Sequence, residues 1–320
     1  MNATLQPVSQ AALLGESPLW HPDEQALYWC DIAGHALHRL DPATGNSQQW
    51  DFDTDVACCA PTYGGGLLLA LRSGFLHFDP ATGQRRLIAA PAYDPGNERY
   101  NDGKADAAGR FWCGTVYEPR KPALAALYCL EDGQVTRKAD GVTVSNGLAW
   151  SPDNRTMYWA DTTTHTVFAF DFDVVTGSIS KRRVFAQFTP RAADQAIETY
   201  RGRPDGATVD SQGNYWVAMY EGQRLLQLAP EGKLLQDLPL PVRCPTMPCF
   251  GGADLKTLYI TSASQKRPAD ELAQQPWAGC VLAMRVQVPG LPANFVRLSR
   301  DAVQGINGPA MTGPRLDSAI

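Results

Sequence analysis

The sequence lacks the features that would place it among membrane, secreted or nucleic-acid-binding proteins. No apolar run approaches the roughly 20 residues that a membrane-spanning helix needs. The first residues show neither the basic start nor the long apolar stretch of a signal peptide. The net charge of -5 over 320 residues provides no basic surface for a nucleic acid. We therefore expect a cytoplasmic protein that binds neither membranes nor nucleic acids.

The chain also lacks the short motifs of several well-known catalytic and metal sites. Its eight cysteines include no Cys-x-x-Cys pair, so we expect reduced thiols. There is no His-Glu-x-x-His sequence, and the run at 15–19 lacks the closing glycine of a nucleophile elbow. The acidic run at 51–55 begins like a calcium loop, but Val56 and Thr62 occupy the positions that require glycine and glutamate.

An internal repeat is the strongest positive signal in the sequence. Glu16 precedes Trp29 by 13 residues, Asn146 precedes Trp159 by 13 residues, and the two segments share one pattern. Four weaker copies complete the set, and the equivalent residue in each copy is here called the slot residue. The six slot residues are Glu16, Cys58, Asn101, Asn146, Asp205 and Met247. Successive slot residues are 42 to 45 residues apart, except for a step of 59 that contains a polar insert at 189–203.

Each repeat predicts several β-strands. Runs rich in Tyr and Trp alternate apolar and polar residues, as at Leu27, Trp29 and Ile32. Turns of the type Asp-Pro-Ala-Thr-Gly come later in the unit, as at 41–45 and 79–83. Units of about 40–45 residues with several strands each are typical of a β-propeller. The alternative all-β fold, a pair of β-sandwiches, needs no six-fold repeat.

The sequence therefore predicts an all-β fold, a six-bladed β-propeller of four-stranded blades. Each unit can bury its faces only against its neighbours, so residues 1–320 are expected to form a single domain. The first residues (5–14) are expected to add a strand to the sixth blade. That closure would remove the open sheet edges that invite aggregation.

Three of the slot residues suggest a metal site. Placed around one axis, Glu16, Asn146 and Asp205 would form an oxygen-rich cage with two negative charges, which suits Ca²⁺, Mg²⁺ or Mn²⁺ and can also hold Zn²⁺ or Fe²⁺. Three protein ligands leave positions open for water and substrate, as in catalytic metal sites. The alternative is that Asn-Gly and Asp-Gly are ordinary turn dipeptides. Their shared register, and a glutamate where a turn needs none, favour the metal site.

Five motifs spread over nearly the whole chain resemble those of the SMP-30/gluconolactonase family, also called the regucalcin-like family. They are Gly-Glu-Ser-Pro-Leu-Trp at 15–20, Arg-Tyr-Asn-Asp-Gly-Lys at 99–104, Val-Ser-Asn-Gly-Leu-Ala-Trp-Ser at 144–151, Arg-Pro-Asp-Gly at 203–206 and Cys-Phe-Gly-Gly at 249–252. The resemblance implies a six-bladed propeller with one divalent cation in a central metal-binding channel. It also implies a lactonase that hydrolyses sugar-acid lactones, such as glucono-, galactono-, xylono- or arabinonolactone, to aldonic acids.

The resemblance also implies roles for individual residues. Glu16, Asn146 and Asp205 match the metal ligands of the family, and Asp205 is in addition the candidate general base. Arg99 and Asn101 match residues that contact hydroxyl or carbonyl oxygens of the substrate. A further substrate contact in the family is a glutamate in a lid-like segment. Here Glu118 lies one place early and Pro119 occupies the matching position, so Glu118 is a weaker candidate for the substrate site.

Two other classes of function stay open at this point. One is a different hydrolase on the same scaffold, acting on other esters or on organophosphates. The other is a non-catalytic propeller that binds divalent cations, although such a protein would need neither Arg99 nor Asn101. The expected partner is a small-molecule sugar lactone, and the expected assembly is a monomer or a weak homo-oligomer.

Overall fold

A computed structural model describes residues 5–298, in which 24 strands form six four-stranded sheets. The first strand in the chain is β1 (Gln6–Pro7). Blade 1 contains β2 (Gly15–His21), β3 (Ala26–Asp31), β4 (Ala36–Leu40) and β5 (Ser47–Asp51). Blade 2 contains β6 (Val56–Pro61), β7 (Leu67–Leu71), β8 (Gly74–Phe78) and β9 (Arg85–Ala89). Blade 3 contains β10 (Glu98–Ala105), β11 (Phe111–Tyr117), β12 (Ala125–Glu131) and β13 (Gln134–Val142).

The other three blades have the same strand order. Blade 4 contains β14 (Ser145–Trp150), β15 (Thr156–Asp161), β16 (Thr166–Asp173) and β17 (Ser178–Gln187). Blade 5 contains β18 (Arg203–Val209), β19 (Tyr215–Tyr220), β20 (Arg224–Leu228) and β21 (Leu234–Pro239). Blade 6 contains β22 (Pro245–Gly251), β23 (Thr257–Ser262) and β24 (Leu282–Arg285), and β1 is its fourth strand. A 3₁₀ helix (Ile197–Thr199) and α1 (Ala269–Gln274) lie in connections, and no helix in residues 5–298 is long and apolar enough to cross a membrane.

The blades form a closed ring. The first strand of each blade packs beside the first strand of the next, and β22 packs against β2 to complete the circle. The amino-terminal strand joins the last blade, with Gln6 opposite Ala283 and Pro7 opposite Leu282. The six-bladed fold and the contribution of the amino terminus to blade 6 are thus both confirmed. The predicted span of the single domain, 1–320, extends at both ends beyond the described residues.

Six apolar clusters hold the ring together, one at each junction between neighbouring blades. The aromatic residues of the repeat are central to them, because Tyr28, Trp112, Trp159 and Tyr215 are almost completely buried. Large aromatic side chains contribute most of the apolar area in such cores. The outermost strands are largely exposed, as in β5 and β21. The repeat in the sequence therefore reflects the need of each blade to pack on both neighbours.

The two ends of the channel differ in their connections. Each first strand has its slot residue within its first four residues. The strand runs from there toward the other end of the channel, where the turns are short, as at 22–25 and 252–256. The connections at the slot end include the long segments 118–124, 188–202 and 263–281. The polar insert recognised in the sequence therefore lies at the slot end, which we call the mouth. Long loops over a rigid scaffold are where binding residues concentrate.

Candidate metal and substrate site

The slot residues lie on the six strands that surround the channel. Next to every one of them the pairing of the first two strands shifts register, for example between Glu16 and Leu19 and between Asn146 and Ala149. Such β-bulges bend a strand and re-aim its side chains. The four polar slot residues are buried, with only 2% of Asn146 and 6% of Asp205 exposed. The prediction that equivalent positions meet near the axis agrees with this arrangement.

A chain of hydrogen bonds begins at the mouth and joins blades 3 and 4. Arg99 Nη1 donates to Asn101 Oδ1 (2.8 Å), and Asn101 Nδ2 donates to Asn146 Oδ1 (2.8 Å) and to the Ser145 carbonyl (2.9 Å). Both N–H groups of Asn101 are therefore used within the protein. Only a lone pair on Asn101 Oδ1 remains for a substrate hydroxyl. The substrate-binding role of Asn101 stays a prediction, and its visible function is to hold Asn146.

The same chain determines which way the Asn146 amide points. Asn146 Nδ2 donates to Thr162 Oγ1 (2.8 Å), and Thr162 Oγ1 donates in turn to the Pro204 carbonyl (2.7 Å), next to Asp205. The amide nitrogen is thereby directed to Thr162, and the amide oxygen faces Asn101 of blade 3. Hard cations bind oxygen, so this orientation is the one that a metal ligand requires. Thr162 was not recognised in the sequence, because nothing in its local pattern distinguishes it from other threonines in turns.

Replacing Thr162 is expected to weaken cation binding without disrupting the fold. Thr162→Val keeps the shape but removes the acceptor for Asn146 Nδ2, and loss of such an orienting group typically costs about 10- to 100-fold in metal affinity. Thr162→Ser keeps the hydroxyl and should bind almost as well as wild type. Calorimetric titration with Ca²⁺ would measure both. Equal affinities for the valine and serine variants would contradict the orienting role.

The candidate ligands form a pair of buried, mutually repelling carboxylates. Burial raises the pKa of Glu16 well above its ordinary value, and the charges of Asp205 and Asp102 raise it further. Burial also raises the pKa of Asp205 to about 8, against the opposing effects of Arg203 and Arg99. Carboxylates that share a buried site without a cation favour protonation. A bound divalent cation would remove this cost.

A third carboxylate reinforces the negative character of the site. Asp102 is 4% exposed, and its Oδ2 accepts a hydrogen bond from the Leu148 amide, whereas its Oδ1 has no partner among residues 5–298. A buried acceptor without a partner is costly and calls for an explanation. Lys104 partly compensates the charge; its Nζ donates to the Leu148 carbonyl (3.0 Å) and to the Ala207 carbonyl. Asp102 and Lys104 both belong to the motif at 99–104.

The donor set fits a hard divalent cation better than a soft one. Among residues 5–298, no three His, Cys, Asp or Glu side chains are grouped to hold a metal ion. The candidate donors are instead two carboxylates and one amide. Two carboxylates and an amide oxygen are suitable ligands for Ca²⁺, Mg²⁺ or Mn²⁺. The sulfur of Cys58 packs 3.4 Å from Cys113 Sγ, and all eight cysteines are free and buried. The roles of Glu16, Asn146 and Asp205 as ligands stay predictions.

Glu118 occupies the mouth as part of an ion-pair network. Its two carboxylate oxygens accept from Arg72 Nη1 (2.9 Å) and Nη2 (2.8 Å), and Arg72 Nη2 also lies 2.7 Å from Asp55 Oδ2. Arg99 Nε is 3.9 Å from Glu118 Oε1. The hydrogen bonds from Arg72 lower the pKa of Glu118, so it is ionised. Glu118 therefore helps to position Arg99, and its contact with substrate stays a prediction.

A cavity of about 280 Å³ lies at the opposite end of the channel. It is lined by Lys104, Trp20, Trp150 and Met247, and the segment 291–294 borders it. None of the three candidate ligands lines this cavity. The polar donors and the long connections instead locate the candidate site at the mouth.

The fold and the site together define the class of protein. It is a six-bladed propeller whose inner strands bring buried carboxylates and an amide to one end of the channel. Residues 14–264 match the pattern of the family described as "SMP-30/Gluconolactonase/LRE-like region". The chain belongs to this family, as the five motifs in the sequence predicted.

Individual relatives match over most of their length. The chain is 42% identical to a 6-deoxy-6-sulfogluconolactonase of Pseudomonas putida, over 91% of this chain and 97% of the relative. It is 38% identical to a regucalcin of Danio rerio, over 87% and 93% of the two chains. A solved structure of a calcium-binding protein, regucalcin, from Agrobacterium tumefaciens has a TM-score of 0.86 at 26% identity, and covers 92% of this chain and 98% of that one. A gluconolactonase from Xanthomonas campestris has a TM-score of 0.69 at 25% identity, with 90% of each chain covered.

Proposed function

We propose that this protein is a metal-dependent lactonase that hydrolyses lactones of sugar acids to aldonic acids. The relatives named gluconolactonase and sulfogluconolactonase support the lactonase class. The observation that carries the proposal is the pair of buried carboxylates, Glu16 and Asp205, together with the buried Asn146 amide, whose nitrogen is held by Thr162 and whose oxygen faces Asn101. A non-catalytic structural role does not require carboxylates whose burial raises their pKa values. The similarity to a calcium-binding protein supports a divalent cation in this protein.

Glu16, Asn146 and Asp205 would hold the cation. A divalent ion bound there would polarise a lactone carbonyl and lower the pKa of a bound water. Asp205 is the proposed general base, because a carboxylate has a second oxygen beside the one that would bind the cation, and the charge of a bound cation would favour its ionised form. Such a base accepts the proton of the attacking water and returns it to the leaving ring oxygen.

Arg99 is proposed to orient the substrate. Its guanidinium is largely but not fully buried at the mouth. Nη1 donates to Asn101 Oδ1 and to the Tyr100 carbonyl, and Nη2 makes no hydrogen bond within residues 5–298. Donors held in a fixed position can hold ring hydroxyls of the sugar and align the carbonyl for attack. Arg99→Ala should therefore raise KM more than it lowers kcat.

A hydrolysis assay over pentono- and hexonolactones tests the proposal. The protein is first treated with a chelator, then Ca²⁺, Mg²⁺, Mn²⁺, Zn²⁺ or Fe²⁺ is restored, and acid release is followed with the spontaneous rate subtracted. We expect turnover of at least one sugar lactone that is lost on chelation and recovered with a cation. Turnover of aryl esters or organophosphates but not of lactones would favour the other hydrolase. Cation binding with no turnover of any substrate would favour a cation-binding propeller.

We also propose that residues 1–320 form one domain. We further propose that the protein resides in the cytoplasm and acts as a monomer or a weak homo-oligomer. Residues 1–4 and 299–320 lie outside the described part of the chain.

A further inference from the structure

The β-bulges beside the slot residues leave backbone groups without partners in the sheet. In blade 4 the pairing of β14 with β15 passes from Asn146 directly to Ala149, so Gly147 and Leu148 have no paired residue on β15. In blade 5 a similar gap in the pairing of β18 with β19 contains Asp205. Buried N–H and C=O groups that leave a sheet in this way need other partners. The partners chosen at these bulges therefore influence how the candidate ligands are held.

Side chains of the two neighbouring blades supply the partners of the bulge in blade 4. From blade 3, Asp102 Oδ2 accepts from the Leu148 amide (2.8 Å), and Lys104 Nζ donates to the Leu148 carbonyl (3.0 Å). From blade 5, the Tyr215 hydroxyl donates to the Gly147 carbonyl (2.8 Å). We call these three side chains, Asp102, Lys104 and Tyr215, the clamp. It holds the bulge next to the candidate ligand of blade 4 from both sides.

Lys104 extends the clamp to the first strand of blade 5. Its Nζ donates to the Ala207 carbonyl on β18 as well as to the Leu148 carbonyl on β14. Leu148 comes two residues after Asn146, and Ala207 comes two residues after Asp205. The ammonium group therefore joins equivalent positions of the two strands that carry these candidate ligands. A lysine ammonium has several donors, so it can hold two carbonyl oxygens at one separation.

Packing alone does not account for the residue types in the clamp. A charged amine is costly to place between the inner strands of a propeller, and an apolar side chain of similar length would fill the same space. Tyr215 is completely buried in an apolar cluster, where a phenylalanine would pack equally well. What the ammonium and the hydroxyl add is directional hydrogen bonds across blade boundaries. Such bonds fix the positions of neighbouring strands relative to each other.

We infer that Lys104 and Tyr215 are positioning residues, which fix the separation of Asn146 and Asp205 and thereby select the size of the cation. The inference rests on the proposed metal site. Mg²⁺ requires metal–oxygen distances of about 2.0–2.1 Å in nearly octahedral geometry, whereas Ca²⁺ accepts about 2.3–2.6 Å in more flexible geometry. Ligands on a fixed backbone discriminate between the two ions, because they cannot adjust to both. Ligands on a loosened backbone adjust to either ion and discriminate less.

Calorimetric titration with Ca²⁺ and with Mg²⁺ tests the clamp in the wild type, Lys104→Met and Tyr215→Phe. The quantity compared is the ratio of the two Kd values, which is the preference for one ion over the other. Lys104→Met should lower this preference by about 10- to 100-fold, the usual effect on metal affinity of losing a supporting contact. The lost lysine charge acts equally on two ions of the same charge, so it cancels in the ratio.

Tyr215→Phe is the more conservative variant, because it keeps the buried ring and removes one hydrogen bond. It should lower the preference by about 2- to 10-fold, the equivalent of one hydrogen bond of ordinary strength. Tyr158→Phe is the matched control. The Tyr158 ring packs in the same apolar cluster, 5.0 Å from the Tyr215 ring, but its hydroxyl makes no hydrogen bond within residues 5–298. This control should bind both ions as the wild type does.

Thermal unfolding of the chelated proteins separates positioning from stability. A clamp that serves only the fold would lower the metal-free stability and leave both cation affinities unchanged, which would overturn the inference. An equal loss of affinity for Ca²⁺ and Mg²⁺ would also overturn it, because the ligand spacing would then be unaltered. If Lys104→Met does not fold, the comparison of Tyr215→Phe with Tyr158→Phe decides.

Cation binding is measured without substrate, so the clamp and the lactonase function fail separately. If no lactone is hydrolysed, the proposed function fails, but an ion preference that falls in Tyr215→Phe and not in Tyr158→Phe still supports the clamp. A wild type that binds neither ion, or binds both equally well, would reject the clamp even if lactones are hydrolysed.

Discussion

Asp205→Asn is expected to lower kcat/KM for lactone hydrolysis by about 10²- to 10⁴-fold, the range that a positioned general base contributes. The amide keeps the size of the side chain but cannot accept the proton of water, and it removes one of the two negative charges that would hold the cation. Asp205 is buried within β18. The same change at the surface residue Asp254 should leave activity unaffected.

The measurement is a steady-state assay at saturating cation, accompanied by circular dichroism to verify the fold. Calcium titration of the variant separates the two proposed roles. Wild-type Ca²⁺ affinity with lost turnover would identify Asp205 as a base that is not required for cation binding. Loss of both Ca²⁺ affinity and turnover would support its dual role as metal ligand and general base. Wild-type turnover in Asp205→Asn would remove the residue from the mechanism.

Removal of divalent cations is expected to destabilise the protein increasingly as pH rises from about 5 to about 8. In the metal-free folded protein burial raises the pKa of Asp205 to about 8, whereas an aspartate in an unfolded chain titrates near 3.9. Between these values the folded state holds a proton that the unfolded state has released, so the free energy of unfolding falls as pH rises. Below about pH 4 Asp205 is protonated in both the folded and the unfolded state, so it no longer lowers the free energy of unfolding. Glu16 acts in the same direction.

The destabilisation should be large. A difference of about four units between the folded-state and unfolded-state pKa of Asp205 lowers the free energy of unfolding by at most about 5 kcal/mol. Thermal unfolding with chelator or with Ca²⁺ at pH 5, 6, 7 and 8 would measure it, and the stabilisation by Ca²⁺ should increase with pH. Metal-free Asp205→Asn should be more stable than the metal-free wild type at pH 8, yet gain little from Ca²⁺. A wild type whose metal-free stability is constant from pH 5 to 8 would contradict the buried charge pair.

The blades could be predicted from the sequence because their aromatic residues serve the same purpose in each copy. Tyr28, Trp112, Trp159 and Tyr215 fill the junctions between blades, so a period in the sequence corresponds to a period in space. The insert at 189–203 was recognisable for the same reason, as the one irregular step. Its contact with His165 was not recognisable, because Tyr200 is 35 residues away in the chain.

Contacts between blades also explain what the sequence left open at the site. Arg72 and Glu118 are 46 residues apart and belong to different repeats, so neither local pattern indicates the other. Thr162 orients Asn146 within blade 4 from the turn after β15, 16 residues away. Side chains of this kind become partners only after the blades have folded and packed. Their identity depends on a few ångströms of geometry that no periodicity specifies.

The sequence by itself determined the number of blades, the slot positions and the family, since all three follow from repeated spacing and continuous motifs. Only the tertiary structure decided that Asn101 donates one N–H to Asn146 and the other to the Ser145 carbonyl, and that Thr162 holds the Asn146 amide nitrogen. The physical reason is that hydrophobic periodicity is encoded locally along the chain. Hydrogen-bond partners and charge balance depend on which residues the closed ring brings together.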